Sequence, residues 1–174
     1  IGNSLNNAFF NNWGLVGKVA WFLNENHGLE LMYYWLNSNP REVTDSLEEE
    51  LQIETRSLVV PENFLGLAYK WVPIYGKIAW FNKKIVPFDL FFNIGGGMSQ
   101  TGLEETEPTV HLSVGQNFFW SKSFGFRWDL ALNSYQAKIL ETDDDDKTVE
   151  STTNQYDLFL AVGVSYYWPE ATYR

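Results

Sequence analysis

The chain of 174 residues contains no cysteine and no long hydrophobic run, and each absence excludes a class of protein. Without cysteine it cannot be a small secreted domain held together by disulfides. A transmembrane helix needs about 20 consecutive apolar residues, and no stretch of the sequence reaches that length. Only 12 lysines and arginines stand against 22 aspartates and glutamates, and the net charge of −10 argues against nucleic acid as a partner.

The sequence also offers little to a metal ion or a phosphate group. Residues 143–146 are four consecutive aspartates, but they lack the alternating pattern and the glycine of an EF-hand loop, which favours a solvated acidic loop. Residues 95–97 are three glycines without the Lys-Ser/Thr of a phosphate-binding loop, and within a strand they indicate a tight bend of the sheet. We therefore predict no metal and no cofactor.

Aromatic residues are abundant, at 17% of the chain, and they follow an alternating pattern. In residues 123–135 every second side chain is large and apolar, and the side chains between them are small or polar. The apolar set is Phe124, Phe126, Trp128, Leu130 and Leu132, and the other set is Gly125, Arg127, Asp129, Ala131 and Asn133. Successive side chains of a strand point to opposite faces. One aromatic face and one charged face are typical of a transmembrane β-barrel strand, with lipid outside and a polar lumen inside.

Six further segments repeat this alternation, so seven strands are clear. They lie within residues 13–23, 29–36, 64–81, 88–97, 110–118, 123–135 and 157–168. We predict an all-β fold, an antiparallel transmembrane β-barrel of about eight strands that forms a single domain over residues 1–174. A soluble β-sandwich is the alternative fold, and it would need the aromatic faces to pack against each other.

The segment 64–81 is long for one strand. Its outward-facing positions are odd-numbered before Pro73 and even-numbered after it. A bulge there would exchange the two faces within a single strand, whereas a true turn would divide the segment into two short strands. Residues 1–12, 37–63 and 136–154 are predicted connections, and 43–51 has the spacing of a short helix. Bacterial single-chain barrels have an even number of strands, so we expect the eighth strand either upstream of residue 1 or from a neighbouring chain.

Charged residues of both signs occupy the strand positions whose side chains are predicted to face the lumen. The predicted polar network of the lumen is Lys18, Glu30, Lys70, Lys77, Asp89, His111, Arg127, Asp129 and Asp157. An eight-stranded barrel is just wide enough for side chains to fill it, which favours mutual pairing. A narrow passive channel is one alternative. A lipid-modifying enzyme that uses His111 with Ser113, and with Asp89 on a neighbouring strand, is the other.

Large aromatic residues dominate the outward parity. We predict that they contact lipid and form the aromatic girdles of the barrel: Trp13, Trp21, Trp35, Trp71, Phe124, Phe126, Trp128, Tyr166 and Trp168. Trp120 is a further girdle candidate. Membrane lipid is therefore the expected partner.

Five stretches carry a family resemblance. They are SLNNAFFNNWG (4–14), FLNENHGLEL (22–31), VPIYGKIAWFNKKIVPFDLFFNIGGG (72–97), FFWSKSFGFRWDL (118–130) and VGVSYYWP (162–169). Together they resemble a family of small outer-membrane β-barrel domain proteins from predatory and gliding Gram-negative bacteria. The resemblance implies a location in the outer membrane of a Gram-negative bacterium, and it implies no known reaction and no catalytic residue.

The function expected from the sequence is structural. We predict an integral envelope protein, not an enzyme, with a lumen filled by side chains, whose main contacts are lipid and its own copies. A homo-oligomer assembled around lipid is part of this expectation.

Overall fold

The computed structural model describes residues 1–6, 10–40, 61–80, 84–101, 106–142 and 148–169. Its regular elements are β1 (Gly2–Ser4), β2 (Phe10–Phe22), β3 (His27–Pro40), β4 (Pro61–Trp80), β5 (Lys84–Thr101), β6 (Thr106–Phe119), β7 (Phe124–Thr142) and β8 (Thr148–Tyr166). Within these ranges no helix has the length and the apolar character that crossing a membrane requires.

Each strand pairs antiparallel with the next, and β8 pairs with β1 to close the barrel. The all-β antiparallel fold with about eight strands is thus confirmed, and the sandwich alternative is wrong. One end of the barrel carries the connections 23–26, 81–83 and 120–123, and we call it the turn end. The opposite end, where the connections 5–9, 41–60, 102–105 and 143–147 leave the strands, is the loop end.

The eighth strand lies at the start of the chain itself. Gly2 pairs with Gly14 on β2 and with Ala161 on β8, and the N–H of Val162 donates to the Ile1 carbonyl at 2.8 Å. The prediction of a loop over residues 1–12 was therefore wrong for residues 2–4 and 10–12, which lie in β1 and β2. The expectation that a neighbouring chain supplies the eighth strand was wrong as well, because residues of this chain close the ring. Three residues are too few to show an alternating pattern. β1 covers only the loop-end half of the wall, and nearer the turn end no described strand joins β2 to β8.

The segment around Pro73 is a single strand with an irregularity. The β4–β5 register shifts between Trp71 and Ile74, which confirms the predicted bulge in one long strand. β4 and β5 continue beyond this point as a hairpin, whereas the pairing of β3 with β4 stops at Trp71. The hairpin of β4 and β5 therefore projects past its neighbours at the turn end.

The strands extend further towards the loop end than the apolar alternation indicates. β7 and β8 stay paired as far as Thr142 and Thr148, so most of the acidic loop predicted over residues 136–154 is a polar hairpin. Threonine, which favours strands, is frequent in this stretch of β8. The aspartate tract 143–146 and the predicted helix at 43–51 lie outside the described residues.

The barrel interior holds both an apolar cluster and a polar one. The apolar cluster consists of Met32, Tyr34, Phe64, Ala68, Ala131, Phe159 and Ala161. Two inward glycines let the strands approach closely, because a Cβ at Gly97 would lie 2.1 Å from the carbonyl oxygen of Leu65 and one at Gly95 would lie 2.2 Å from that of Leu67. The polar cluster is the candidate site.

Candidate functional site: the barrel interior

Glu30 is the acceptor at the centre of the polar interior. It lies on the inward face of β3 and is fully buried. The guanidinium of Arg127 donates two hydrogen bonds to its carboxylate, both at 2.7 Å, and Lys70 donates a third at 2.8 Å. Asn93 donates a fourth at 3.0 Å. A buried carboxylate needs such partners because its desolvation is costly.

Asp129 joins a third cation, Lys18, to the same assembly. It follows Arg127 by two residues on β7, so both side chains point inward, and the Arg127 Nε donates to Asp129 at 3.0 Å. Lys18 on β2 also donates to the Asp129 carboxylate. We call the connected residues Lys18, Glu30, Lys70, Arg127 and Asp129 the charge network.

Phe91 supports the charge network from β5. The Lys70 Nζ lies 3.8 Å from the centre of the Phe91 ring, and the Arg127 Cζ lies 4.4 Å from it. Cations at these distances are attracted by the negative face of an aromatic ring. The ring therefore replaces part of the solvation that both cations lose inside the barrel.

Three of the remaining predicted lumen residues are inward but lie outside the charge network. Asp89 accepts a hydrogen bond from Asn117 at 2.7 Å. His111 is fully buried, and its Nδ1 lies 2.7 Å from Asn133 Oδ1. Asp157 is half-buried and accepts from the Tyr135 hydroxyl at 3.0 Å. Eight of the nine predicted residues thus line the interior.

Lys77 is the ninth, and its assignment to the lumen network was wrong. The side chain is exposed, although its partner Pro87 has the same parity as the inward Asp89. The reason is position along the strand, because Lys77 lies on the hairpin of β4 and β5 that projects past β3. The alternation of side chains therefore indicated which side of the sheet Lys77 lies on, but not where along β4 the lumen ends.

The geometry does not assemble the residues of the enzyme alternative. His111 is bonded to Asn133, Ser113 accepts from Asn93 at 3.0 Å, and Asp89 is bonded to Asn117. A nucleophile, its base and the group that orients the base must be in mutual hydrogen-bond reach. Among the described residues these three side chains have other partners, and no group of three or more His, Asp or Glu side chains could hold a metal ion.

The interior includes neutral groups that the predicted polar network left out. Asn93 links Glu30 to Ser113, Asn117 holds Asp89, and Tyr34 packs edge-on against Phe64. All have inward parity in the sequence. The predicted network was chosen by charge alone, so it did not include these neutral partners.

A cavity at the loop end is the other feature of the interior, and we call it the loop-end cup. Its polar lining includes Ser4, Asn12, Tyr135 and Asp157, and its apolar lining includes Phe64 and Phe159. These residues come from β1, β2, β4, β7 and β8, so the closing strand contributes to the cup. The stacked rings of Phe64 and His111, and those of Tyr34 and Phe159, separate the cup from the charge network.

The predicted outward aromatics are on the outside. Seven of them are between 42% and 84% exposed, namely Trp13, Trp21, Trp35, Trp71, Phe124, Tyr166 and Trp168. Phe126 and Trp128 are half-buried, and both pack along the outer wall on β7. Trp120 is 54% exposed and stacks on Phe126 with ring centres 6.4 Å apart.

Comparison with known proteins gave no matching family model and no matching curated protein, so the family resemblance of the sequence stays a prediction.

Proposed function

We propose that this chain is an integral β-barrel of the outer membrane of a Gram-negative bacterium, with lipid around its outer wall and a lumen closed by side chains. The observation that carries the proposal is the inverted distribution of side chains. Large apolar residues such as Leu15, Leu67 and Ile94 are more than half exposed, whereas Glu30 and Lys70 are buried. A barrel in lipid requires this arrangement, and a water-soluble barrel requires the opposite.

The dimensions of the outer wall support the proposal. Trp13 and Trp21 are both exposed on β2, and between them the outward residues are Leu15, Gly17 and Val19. Eight residue steps correspond to about 26 Å along a strand. With a tilt of roughly 40° the height is about 20 Å, close to the apolar band of roughly 25 Å in known barrels. The two tryptophans therefore suit the two membrane interfaces.

A row of rings near the turn end supports one aromatic girdle. Phe88, Phe118 and Phe126 follow each other across three adjacent strands, with ring centres 6.0 and 6.4 Å apart, and Trp120 continues the row. Aromatic side chains prefer the level of the lipid headgroups. The row thus suits the interface at which the short turns lie, the periplasmic side in known barrels.

The closed lumen favours a structural role over a passive channel. The charge network crosses the interior from β2 to β7 and its members are buried or nearly so, which favours a lumen filled by side chains. We also propose that copies of the chain associate through the apolar outer wall, with lipid between them.

Fractionation of native membranes tests the location. We expect the protein in the outer-membrane fraction, retained after carbonate and urea washes and released by detergent. Recovery as a soluble monomer without detergent would contradict the proposal.

Two further measurements test separately whether copies of the chain associate and whether the lumen is closed. Mass measurement of the detergent-extracted protein, with bound lipid counted separately, tests association, and a single-chain mass would exclude it. Recordings in a planar bilayer should give flat current traces, and discrete openings would show that the lumen conducts.

A further inference from the structure

The projecting hairpin of β4 and β5 has a strand edge that no other described strand covers. The ladder of β4 with β3 ends at Trp71, whereas its ladder with β5 continues to the pair Trp80 and Lys84. Among the strands that the structure describes, residues 76–80 therefore have a neighbour on one side only, and we call them the open edge. The opposite edge of the hairpin includes Pro87, which has no N–H to donate. The open edge is thus the better place for a further strand.

The base of the hairpin is held in place by the turn that joins β2 to β3. The N–H of Val72 donates to the carbonyl of Asn26 at 2.8 Å, and the Asn26 side chain donates to the Val72 carbonyl at 2.7 Å. The Tyr75 hydroxyl donates to the carbonyl of Glu25. A partner strand therefore meets an edge whose base is already ordered, which lowers the entropy cost of binding.

Apolar side chains of the hairpin are exposed on both of its faces. Ile74 and Ile78, which continue the outer wall, are 51% and 42% exposed, and Ile85 on the other face is 65% exposed. An isolated two-stranded ribbon is at best marginally stable in water, and an exposed apolar edge promotes pairing with another chain. A third strand would satisfy backbone groups of the open edge and cover part of this apolar surface.

The hairpin is positively charged although the chain as a whole is acidic. Residues 72–88 contain Lys77, Lys83 and Lys84 and no aspartate or glutamate, whereas the net charge of the chain is −10. Lys77 lies on the open edge, and its side chain is exposed. Opposite charges on adjacent strands stabilise a sheet, and like charges destabilise it. A second copy of the hairpin would place lysine near lysine, whereas a strand with carboxylates complements the charge.

We propose that the open edge binds an extended acidic segment of a partner protein by strand addition. The backbone of that segment pairs with residues 76–80, and one of its carboxylates lies beside Lys77. Because successive side chains of a strand alternate between faces, the residues between its carboxylates lie on the same face as Ile74 and Ile78 and are apolar. An anionic lipid surface shares the preference for lysine, but it has no N–H and C=O groups in register with a strand.

The test uses the full chain in detergent micelles and a fluorescent seven-residue peptide in which valine and glutamate alternate. Fluorescence anisotropy should show saturable binding. A peptide in which valine and lysine alternate has the opposite charge, and a glutamate peptide with prolines in place of two valines lacks N–H donors. Each should bind at least about tenfold more weakly. Equal binding of either control peptide would overturn the proposal. Displacement of the peptide by phosphatidylglycerol in the micelle would assign the edge to lipid and overturn it as well.

A charge reversal locates the binding edge. Lys77→Glu should weaken binding of the glutamate peptide about tenfold or more and strengthen binding of the lysine peptide by a similar factor. Loss of structure would weaken both, so the reversed preference distinguishes a contact from misfolding. Lys122→Glu is the matched control, because Lys122 is an exposed lysine in the connection 120–123 at the same end, and it should leave both affinities unchanged. If Lys77→Glu does not fold, Lys77→Gln replaces it and should reduce the preference for the glutamate peptide. An unchanged preference in a folded variant of Lys77 would overturn the proposal.

Discussion

Replacing Glu30 by glutamine tests whether the charge network acts as one unit. The change removes the charge to which Arg127, Lys70 and Asn93 donate, and it leaves two buried cations with one carboxylate fewer. Removing one partner of a buried ion pair costs about 3–5 kcal/mol. Glutamine keeps the shape and one acceptor oxygen, so we expect the free energy of unfolding to fall by about 3 kcal/mol.

A double-mutant cycle with Arg127→Met sharpens this prediction. Arg127→Met alone removes the donor of both 2.7 Å bonds and should cost about 3 kcal/mol as well. In the double variant Lys18 and Lys70 remain opposite Asp129 and Asp89, so the charges balance again. We expect the double variant to lose about 2 kcal/mol less than the sum of the two single losses, because contacting residues couple in this range.

Urea-induced unfolding in lipid vesicles, followed by tryptophan fluorescence, measures these free energies. Lys77→Gln is the matched control, since that cation is exposed on the projecting hairpin, and its effect should stay within about 0.5 kcal/mol. If the double variant equals the sum of the single variants within about 0.5 kcal/mol, Glu30 and Arg127 are not coupled. The account of the interior as a mutually dependent network would then be refuted.

Two further predictions use the same unfolding measurement. Gly97→Ala should destabilise by about 1–3 kcal/mol because its Cβ would meet the Leu65 carbonyl, whereas Gly17→Ala, whose Cβ meets no atom within 4 Å, should be close to neutral. Equal effects would contradict the close approach of β4 and β5. Leu67→Arg should cost about 2–4 kcal/mol in lipid if it lies near the bilayer midplane, and Gln100→Arg, which is exposed and lies four residues closer to the loop end than Gly96, the partner of Leu67, about 1 kcal/mol or less. Equal losses of unfolding free energy for the two arginine variants would argue against the proposed membrane position.

The alternation of side chains made the barrel predictable. A period of two is visible wherever one face is apolar and the other polar, and it identified seven of the eight strands as well as the bulge after Trp71. The same pattern assigned the outward aromatic residues and most inward charges. The physical reason is that the two faces of each strand have very different surroundings, so they select different residue types.

The features that were not predicted depend mostly on where each strand ends, and the alternation of side chains does not reveal that. The hairpin of β7 and β8 continues to Thr142 and Thr148 through a sequence that does not alternate between apolar and polar residues, so its strands resembled a loop. Lys77 has the parity of a lumen residue but lies beyond the lumen. The charge network itself required cross-strand register, because Glu30 and Arg127 are 97 residues apart in the sequence.

The pairing of β1 with β8 has a consequence for the order of assembly. Seven of the eight ladders join strands that are consecutive in the chain, so they can form as successive hairpins, whereas the β1–β8 ladder joins residues from opposite ends of the chain, such as Gly2 and Ala161. Ring closure therefore carries the largest cost in loop entropy. We expect this seam to form last and to open first, with the amide of Val162 exchanging hydrogen faster than ladder amides of β5 and β6. The lifetime of the closed barrel then depends on the ladder between β1 and β8.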